Sequence, residues 1–259
     1  MGMGQRSLTE IADSFGTDKG TKGPSFIYGG HNYTDIYEAY LGRMRSAPLR
    51  ILEIGIGVKG PASREYIAHG RNRGGGGSLK MWYEYFPHAT LFAIDVNAAP
   101  HLDNDRVRTF VADQSSRDDI TRLLDAAGNE PFDVIIDDGS HRPDHQQASL
   151  GLLFPALKSG GLYFIEDLEA NGAGDGAFGR HANDSVLNTR HVLKHFLETG
   201  AFPTPHAIHD PDYLAAHIAQ MAFHVPRAGS DVLSLFKKAR NRNLKYRVGT
   251  ERLCAITKE

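Results

Sequence analysis

Apolar positions recur with two different periods along this chain. Ser7 and Glu10 have capping-box spacing around Leu8, Ile11 and Ala12, which predicts a short helix running to about Phe15 and stopping at GTDKG, residues 16–20. Ile36, Tyr37, Tyr40, Leu41 and Met44 are spaced to share one helix face, which predicts a second helix over 33–45. From residue 49 the pattern becomes short compact runs: LRILEI at 49–54, then 90–94, 107–112, 132–136 and 162–165. Such runs suit strands buried on both faces. Helical patterns fall between them at 78–86, 117–127 and 143–157, and this alternation predicts right-handed βαβ units in an α/β, doubly wound, mostly parallel sheet. Beyond residue 170 the alternation weakens. A glycine-rich loop is expected over 171–179, a helix over 184–199, and candidate strands at 221–225, 232–236 and 253–257, whose order in the sheet the pattern does not reveal.

A length of 259 residues suits one large α/β domain or a domain with a small appendage; a single domain is the default, read as a helical cap, 1–48, and a main domain, 49–259, forming one compact unit. With 41% apolar and 23% charged residues the composition is that of an ordinary globular chain. No run is long enough for a spanning helix, and the first residues lack the basic region and apolar run of a secretory signal, so a cytoplasmic protein without membrane attachment is expected. The single cysteine, Cys254, excludes an intrachain disulfide and any multi-cysteine zinc site. A net charge of -2 argues against a nucleic-acid partner. Two basic stretches stand apart, one running from Lys237 to Arg247 and one reading RNRGGGG at 71–77; both read as solvated surface or as contacts for the phosphates of a nucleotide-activated substrate.

Chemistry concentrates at the expected strand ends. Glu53, Gly55 and Gly57 close the first strand, where glycines permit a tight turn and close ligand approach at the carboxyl edge of a parallel sheet. The third glycine of a dinucleotide fingerprint is missing, which counts against a dehydrogenase. S-adenosylmethionine (SAM) needs no pyrophosphate cradle and fits this ending. Asp95 closes the second strand, where a carboxylate can accept from ribose hydroxyls, and Asp113 with Gln114 closes the third, where they could meet an adenine edge. The plainer alternative is that the glycines only turn the chain and Asp95 only caps a helix.

Two acidic pairs follow. Asp137 and Asp138 lead into Gly139, Ser140 and His141 after the fourth strand, and Glu166 and Asp167 close the fifth. Neighbouring strands lie roughly 5 Å apart, so these carboxylates would crowd one rim and repel unless a cation neutralised them. Oxygen donors favour magnesium, calcium or manganese over zinc, and the expected ligands are Asp138, Glu166 and Asp167. A cation there would ease deprotonation of a bound hydroxyl, with His141 as the group to take the proton. A zinc site pairing His141 with His145 is disfavoured, because Pro143 is expected to begin the helix and leave His141 outside it. Taken singly, each acidic pair also reads as a turn or a solvated strand end.

The segments LTEIADSFGTDKG, HNYTDIYEAYL, RILEIGIG, GGSLKMWYEYFP, VRTFVADQS, FDVIIDDGSH and GGLYFIEDLE run in order from about Leu8 to Glu169. Together they resemble the metal-dependent sugar O-methyltransferases of antibiotic pathways. The resemblance implies a Rossmann-like class I SAM-dependent methyltransferase fold, with SAM and Mg2+ as cofactors. It implies magnesium ligation by Asp138, Glu166 and Asp167, with His141 as general base. The cofactor site would comprise Glu53, Gly55, Gly57, Asp95, Asp113, Gln114, Asp137, Thr17, Lys19 and Ser78, with His31 and Tyr33 helping to close it. Some family members carry a large extra amino-terminal domain, whereas this chain starts close to the catalytic segments and has a long insertion at 58–77. That layout points to a nucleotide-activated sugar, such as TDP-rhamnose methylated at the 3'-hydroxyl, as the expected acceptor. A glycoside already joined to its aglycone, or a binding protein without catalysis, are the alternatives. A homo-oligomer is expected by the same resemblance.

Overall fold

A computed structural model describes residues 5–22, 30–60, 74–168, 186–226 and 251–259. The expected loop at 171–179, the strand at 232–236, the basic run from Lys237 and most of the insertion at 58–77 lie outside the described residues.

Helix α1 spans Leu8–Phe15 with the expected capping box, and Gly16 ends it in a left-handed conformation at φ 66°. It buries Leu8, Ile11 and Ala12, and each large aliphatic so covered contributes about 1.5–3 kcal/mol relative to exposure. Helix α2 spans Thr34–Leu41 and tightens into a 3-10 turn over Gly42–Met44, so the single helix expected over 33–45 is divided. The sheet follows as β1 (Arg50–Ile54), β2 (Thr90–Asp95), β3 (Val107–Val111), β4 (Phe132–Asp137) and β5 (Leu157–Ile165). Between them lie α3 (Gly77–Tyr85), α4 (Arg117–Ala126) and α5 (Pro143–Leu153). The helix expected over 143–157 stops at Leu153 because Phe154–Ala156 forms a 3-10 turn around Pro155, which lacks the N–H that a further α-turn would need. β5 accordingly starts at Leu157, five residues before the expected strand.

After α6 (Thr189–Thr199), a helix not anticipated from the pattern, α7 (Pro211–His217), is capped by Asp210 and leads into β6 (Ile218–His224). The last strand is β7 (Leu253–Lys258). Strand order is β3-β2-β1-β4-β5-β7-β6; β7 enters antiparallel between β5 and β6, and the strands from β3 to β5 pair parallel.

Period-two alternation divides the core between the faces. Ile51, Leu91, Ala93, Val134, Ile136 and Phe164 pack with α1, α2 and α3. Leu52, Ile54, Phe92, Ile135, Tyr163 and Ile165 pack with α4 to α7. Lys258 closes one corner: its buried ammonium donates to the carbonyls of Phe154 (3.2 Å), Pro155 (3.0 Å) and Leu157 (2.8 Å), the turn that links α5 to β5.

Candidate active site

The same alternation decides which acidic residues meet. Glu53 follows Leu52 on the α1–α3 side, and Asp138 and Glu166 continue that side from Ile136 and Phe164. Asp137 points to the other face. It is completely buried there, accepting from Ser149 Oγ (2.5 Å), from Gln114 Nε2 (3.1 Å to each oxygen) and from the Gly139 N–H (3.2 Å). Burial pushes its carboxyl up to about 6 against these donors. Asp137 and Gln114, both expected in the cofactor site, therefore support the turn after β4. Gln114 also accepts from the Ser140 N–H at 2.8 Å, and β3 ends at Val111, short of it. Asp113 accepts from the Ser115 N–H (2.8 Å) and hydroxyl (2.7 Å), which shapes the entry to α4.

On the α1–α3 side Lys19 comes down from the loop after α1. Its fully buried ammonium donates to Asp138 Oδ2 (2.6 Å) and Glu166 Oε1 (2.7 Å) and lies 3.7 Å from Glu53 Oε1. Burial alone would lower the Lys19 pKa, but Asp138, Glu166 and Glu53 hold it well above the ordinary lysine value. Tyr37 of α2 donates to the same Glu166 oxygen. Burial and the nearby Asp138 keep Glu166 well above the usual carboxylate range, opposed by Lys19 and Tyr37. Burial likewise carries Glu53 up to about 7, opposed by Lys19 and by the facing Ser78 and Trp82. Thr17 lies in the same loop, close to Gly77 at the start of α3.

Asp167 and His141 reach this side differently. Each has a left-handed backbone, φ 53° and 58°, rare for a residue with a side chain and concentrated at functional sites. The turn brings Asp167 Oδ2 within 3.7 Å of His141 Nε2, while Asp167 Oδ1 accepts from the Tyr33 hydroxyl (2.5 Å) and lies 3.3 Å from His31 Nδ1 and 3.6 Å from Arg252 Nη2. Burial would raise the Asp167 pKa, yet His31, His141 and Arg252 hold it well below the usual range. Potential ligand atoms of Asp138, His141 and Asp167 lie within 4.8 Å of one another, the one such cluster of three among the described residues. Glu166 stands beside it with Oε1 committed to Lys19 and Tyr37.

The cofactor-side turn is one strand away. Gly55 has φ 80°, and a Cβ there would lie 2.3 Å from the Asp138 carbonyl oxygen; only glycine fits where the β1 turn passes the β4 turn. Gly57, at φ 69°, has no atom of the described residues within 4 Å of the place a Cβ would take. Asp95 holds that loop: Oδ2 accepts from the Ile56 and Val58 N–H groups (3.3 and 3.2 Å), and Oδ1 from the Asn97 N–H (2.9 Å).

Sequence reasoning missed the part played by Tyr37, which was read only as a core-facing helix residue, and that of Arg252. Tyr37 carried a signal, since a tyrosine on an apolar stripe must find a partner for its hydroxyl when buried. Arg252 carried none, because its place follows from β7 entering beside β5.

No family model matches the chain. Among curated relatives, the 8-demethyl-8-(2-methoxy-alpha-L-rhamnosyl)-tetracenomycin-C 3'-O-methyltransferase of Streptomyces olivaceus is 42% identical over 139 residues, covering 53% of this chain and 32% of the relative. The mycinamicin VI 2''-O-methyltransferase of Micromonospora griseorubida is 38% identical over 138 residues, covering 53% of this chain and 32% of the relative. This chain thus spans about a third of the length of these relatives. Among solved structures, the MycE methyltransferase of the mycinamycin pathway, in complex with Mg and SAH, superposes with a TM-score of 0.66 at 25% identity, covering 98% of this chain and 55% of that one. A second MycE structure, which also contains mycinamycin VI, matches at 0.66 and 26% with the same coverage. Across its matched residues this chain is similar to sugar O-methyltransferases of antibiotic pathways, and its fold is the Rossmann-like fold of SAM-dependent methyltransferases.

Proposed function

We propose that the chain is a SAM- and Mg2+-dependent O-methyltransferase that acts on a sugar hydroxyl of a glycosylated natural product. The observation that carries this reading is the convergence of Asp138, His141 and Asp167 at the carboxyl ends of β4 and β5, beside the Gly55 turn. The donor set fits a hard divalent cation, being rich in carboxylate oxygen and without thiolate. The glycine turn after β1, with Asp95 at the neighbouring strand end holding its backbone, fits the place where open α/β sheets bind a nucleoside. When bound, SAM supplies the methyl carbon and the cation stabilises the charge developing on the acceptor oxygen.

The chain's own residues supply the rest. Asp138 and Asp167 would hold the cation, joined by Glu166, whose Oε2 has no hydrogen bond among the described residues while Oε1 is fixed by Lys19 and Tyr37. His141 accepts the proton of the acceptor hydroxyl, and Asp167 steadies the imidazolium that results. His31, Tyr33 and Arg252 fix Asp167 in turn, and the loop carrying Thr17 and Lys19 covers the centre on the side of α3.

The tetracenomycin relatives are named for a rhamnosyl group already joined to tetracenomycin, which supports a glycoside acceptor ahead of a nucleotide-activated deoxysugar. Incubation with SAM and Mg2+ in the presence of a rhamnosylated aglycone and TDP-rhamnose together, read by mass spectrometry, separates the two. Methylated glycoside, abolished by EDTA and restored by Mg2+, is the expected result; methyl transfer undiminished in EDTA refutes the metal's role. A homo-oligomer belongs to the same reading, and light scattering at the elution peak would test it.

A further inference from the structure

Lys19 takes no direct part in the transfer described above, yet it is the most buried cation at the site, at 0% exposure. Its own loop has other anchors. The Lys19 carbonyl already accepts from the Tyr33 (2.9 Å) and Thr34 (3.2 Å) N–H groups, and Asp13 receives the Thr21 N–H at 2.8 Å, so main-chain bonds hold the loop against the start of α2. The side chain instead runs into a cluster of like charges. One ammonium stands among three carboxylates, Glu53, Asp138 and Glu166, and two of its bonds, at 2.6 and 2.7 Å, go to residues that a divalent ion would also use. Two cations drawing on the same carboxylate repel each other, most strongly where water is excluded.

We propose, resting on the metal centre inferred above, that Lys19 is a resident counter-cation of that centre. It keeps Asp138 and Glu166 together before the divalent ion arrives, and it competes with that ion for Asp138 Oδ2. Lys19 thereby limits how tightly the ion is held and keeps the empty centre from springing apart. A lysine that merely propped Glu166 in place would have the opposite sign, since its loss would loosen the ion.

The test uses the full chain and Mn2+ as the probe, with bound ion measured by electron paramagnetic resonance for wild type, Lys19→Met and Lys19→Gln. The expected result is Mn2+ binding at least about tenfold tighter in Lys19→Met, with Lys19→Gln shifted the same way. In EDTA both variants should melt below wild type, and Mn2+ should recover most of the difference. A variant that folds only with Mn2+ supports the proposal, because the ion then replaces the missing ammonium. Equal or weaker Mn2+ binding by a folded variant overturns it, as does failure of both variants to fold even with Mn2+. Wild type and variants that all bind no Mn2+ would bring down the metal centre itself, a result distinct from wild-type binding that the substitutions do not strengthen.

Discussion

Asp137 and Asp138 are consecutive residues whose carboxylates face opposite sides of the sheet, Asp137 towards Ser149 and Asp138 towards Lys19. Their substitutions should therefore separate. Asp138→Ala should abolish Mg2+-dependent methyl transfer and weaken Mg2+ binding by calorimetry while leaving a folded protein. Asp137→Ala removes the buried acceptor shared by Ser149 Oγ, Gln114 Nε2 and the Gly139 N–H and should cost about 2–3 kcal/mol of stability in urea unfolding. Equal stability losses for the two would contradict the division between faces.

His141 is expected to serve chemistry rather than the fold. His141→Ala should lower kcat by about 10²–10⁴-fold, the range general bases supply, with SAM affinity nearly unchanged. Loss of SAM binding in the same variant would reassign His141 to the architecture of the turn; loss of Mg2+ binding would make it a ligand, which the 4.8 Å cluster geometry also permits.

Gly55→Ala tests the turn that separates β1 from the metal-side strand. A methyl group at φ 80°, 2.3 Å from the Asp138 carbonyl oxygen, requires the two turns to part. The left-handed backbone alone costs about 1–2 kcal/mol for an L-residue with a side chain. The expected outcome is a lower melting temperature together with at least tenfold weaker SAM binding; a variant that binds SAM normally would show that the close approach is dispensable.

Lys258 gives a prediction remote from the chemistry. Lys258→Met keeps the apolar stem but leaves three carbonyls, those of Phe154, Pro155 and Leu157, without their shared donor. A loss of about 1–3 kcal/mol in chemical denaturation is expected, with unchanged kcat. Wild-type stability in this variant would mean that water satisfies the turn equally well.

Local pattern alone settled most of the parallel sheet. β1 to β4 start and end within a residue or so of the runs read from apolar spacing, because each is a short segment buried on both faces and bounded by turn-forming residues. It also placed Asp138, His141 and Asp167 at strand ends, since loops at the carboxyl edge of such a sheet begin where the apolar run stops. The sequence carried α7 less openly, although Asp210 and Pro211 have the order of a helix start, because a helix of seven residues shows too few turns for a period.

What only the tertiary structure decided is which neighbours each charge has. Whether Asp137 or Asp138 faces the centre depends on which way the strand's period-two alternation is set by packing, and a one-residue shift would exchange them. That Lys19 reaches across 119 residues to Asp138, or that β7 enters antiparallel to bring Arg252 beside Asp167, follows from long-range chain closure with no local signature. The sequence determined the residue types able to bind a cation and move a proton. Their grouping around one lysine is a property of the folded sheet, because carboxylates repel until a shared cation and the packing of both faces hold them together.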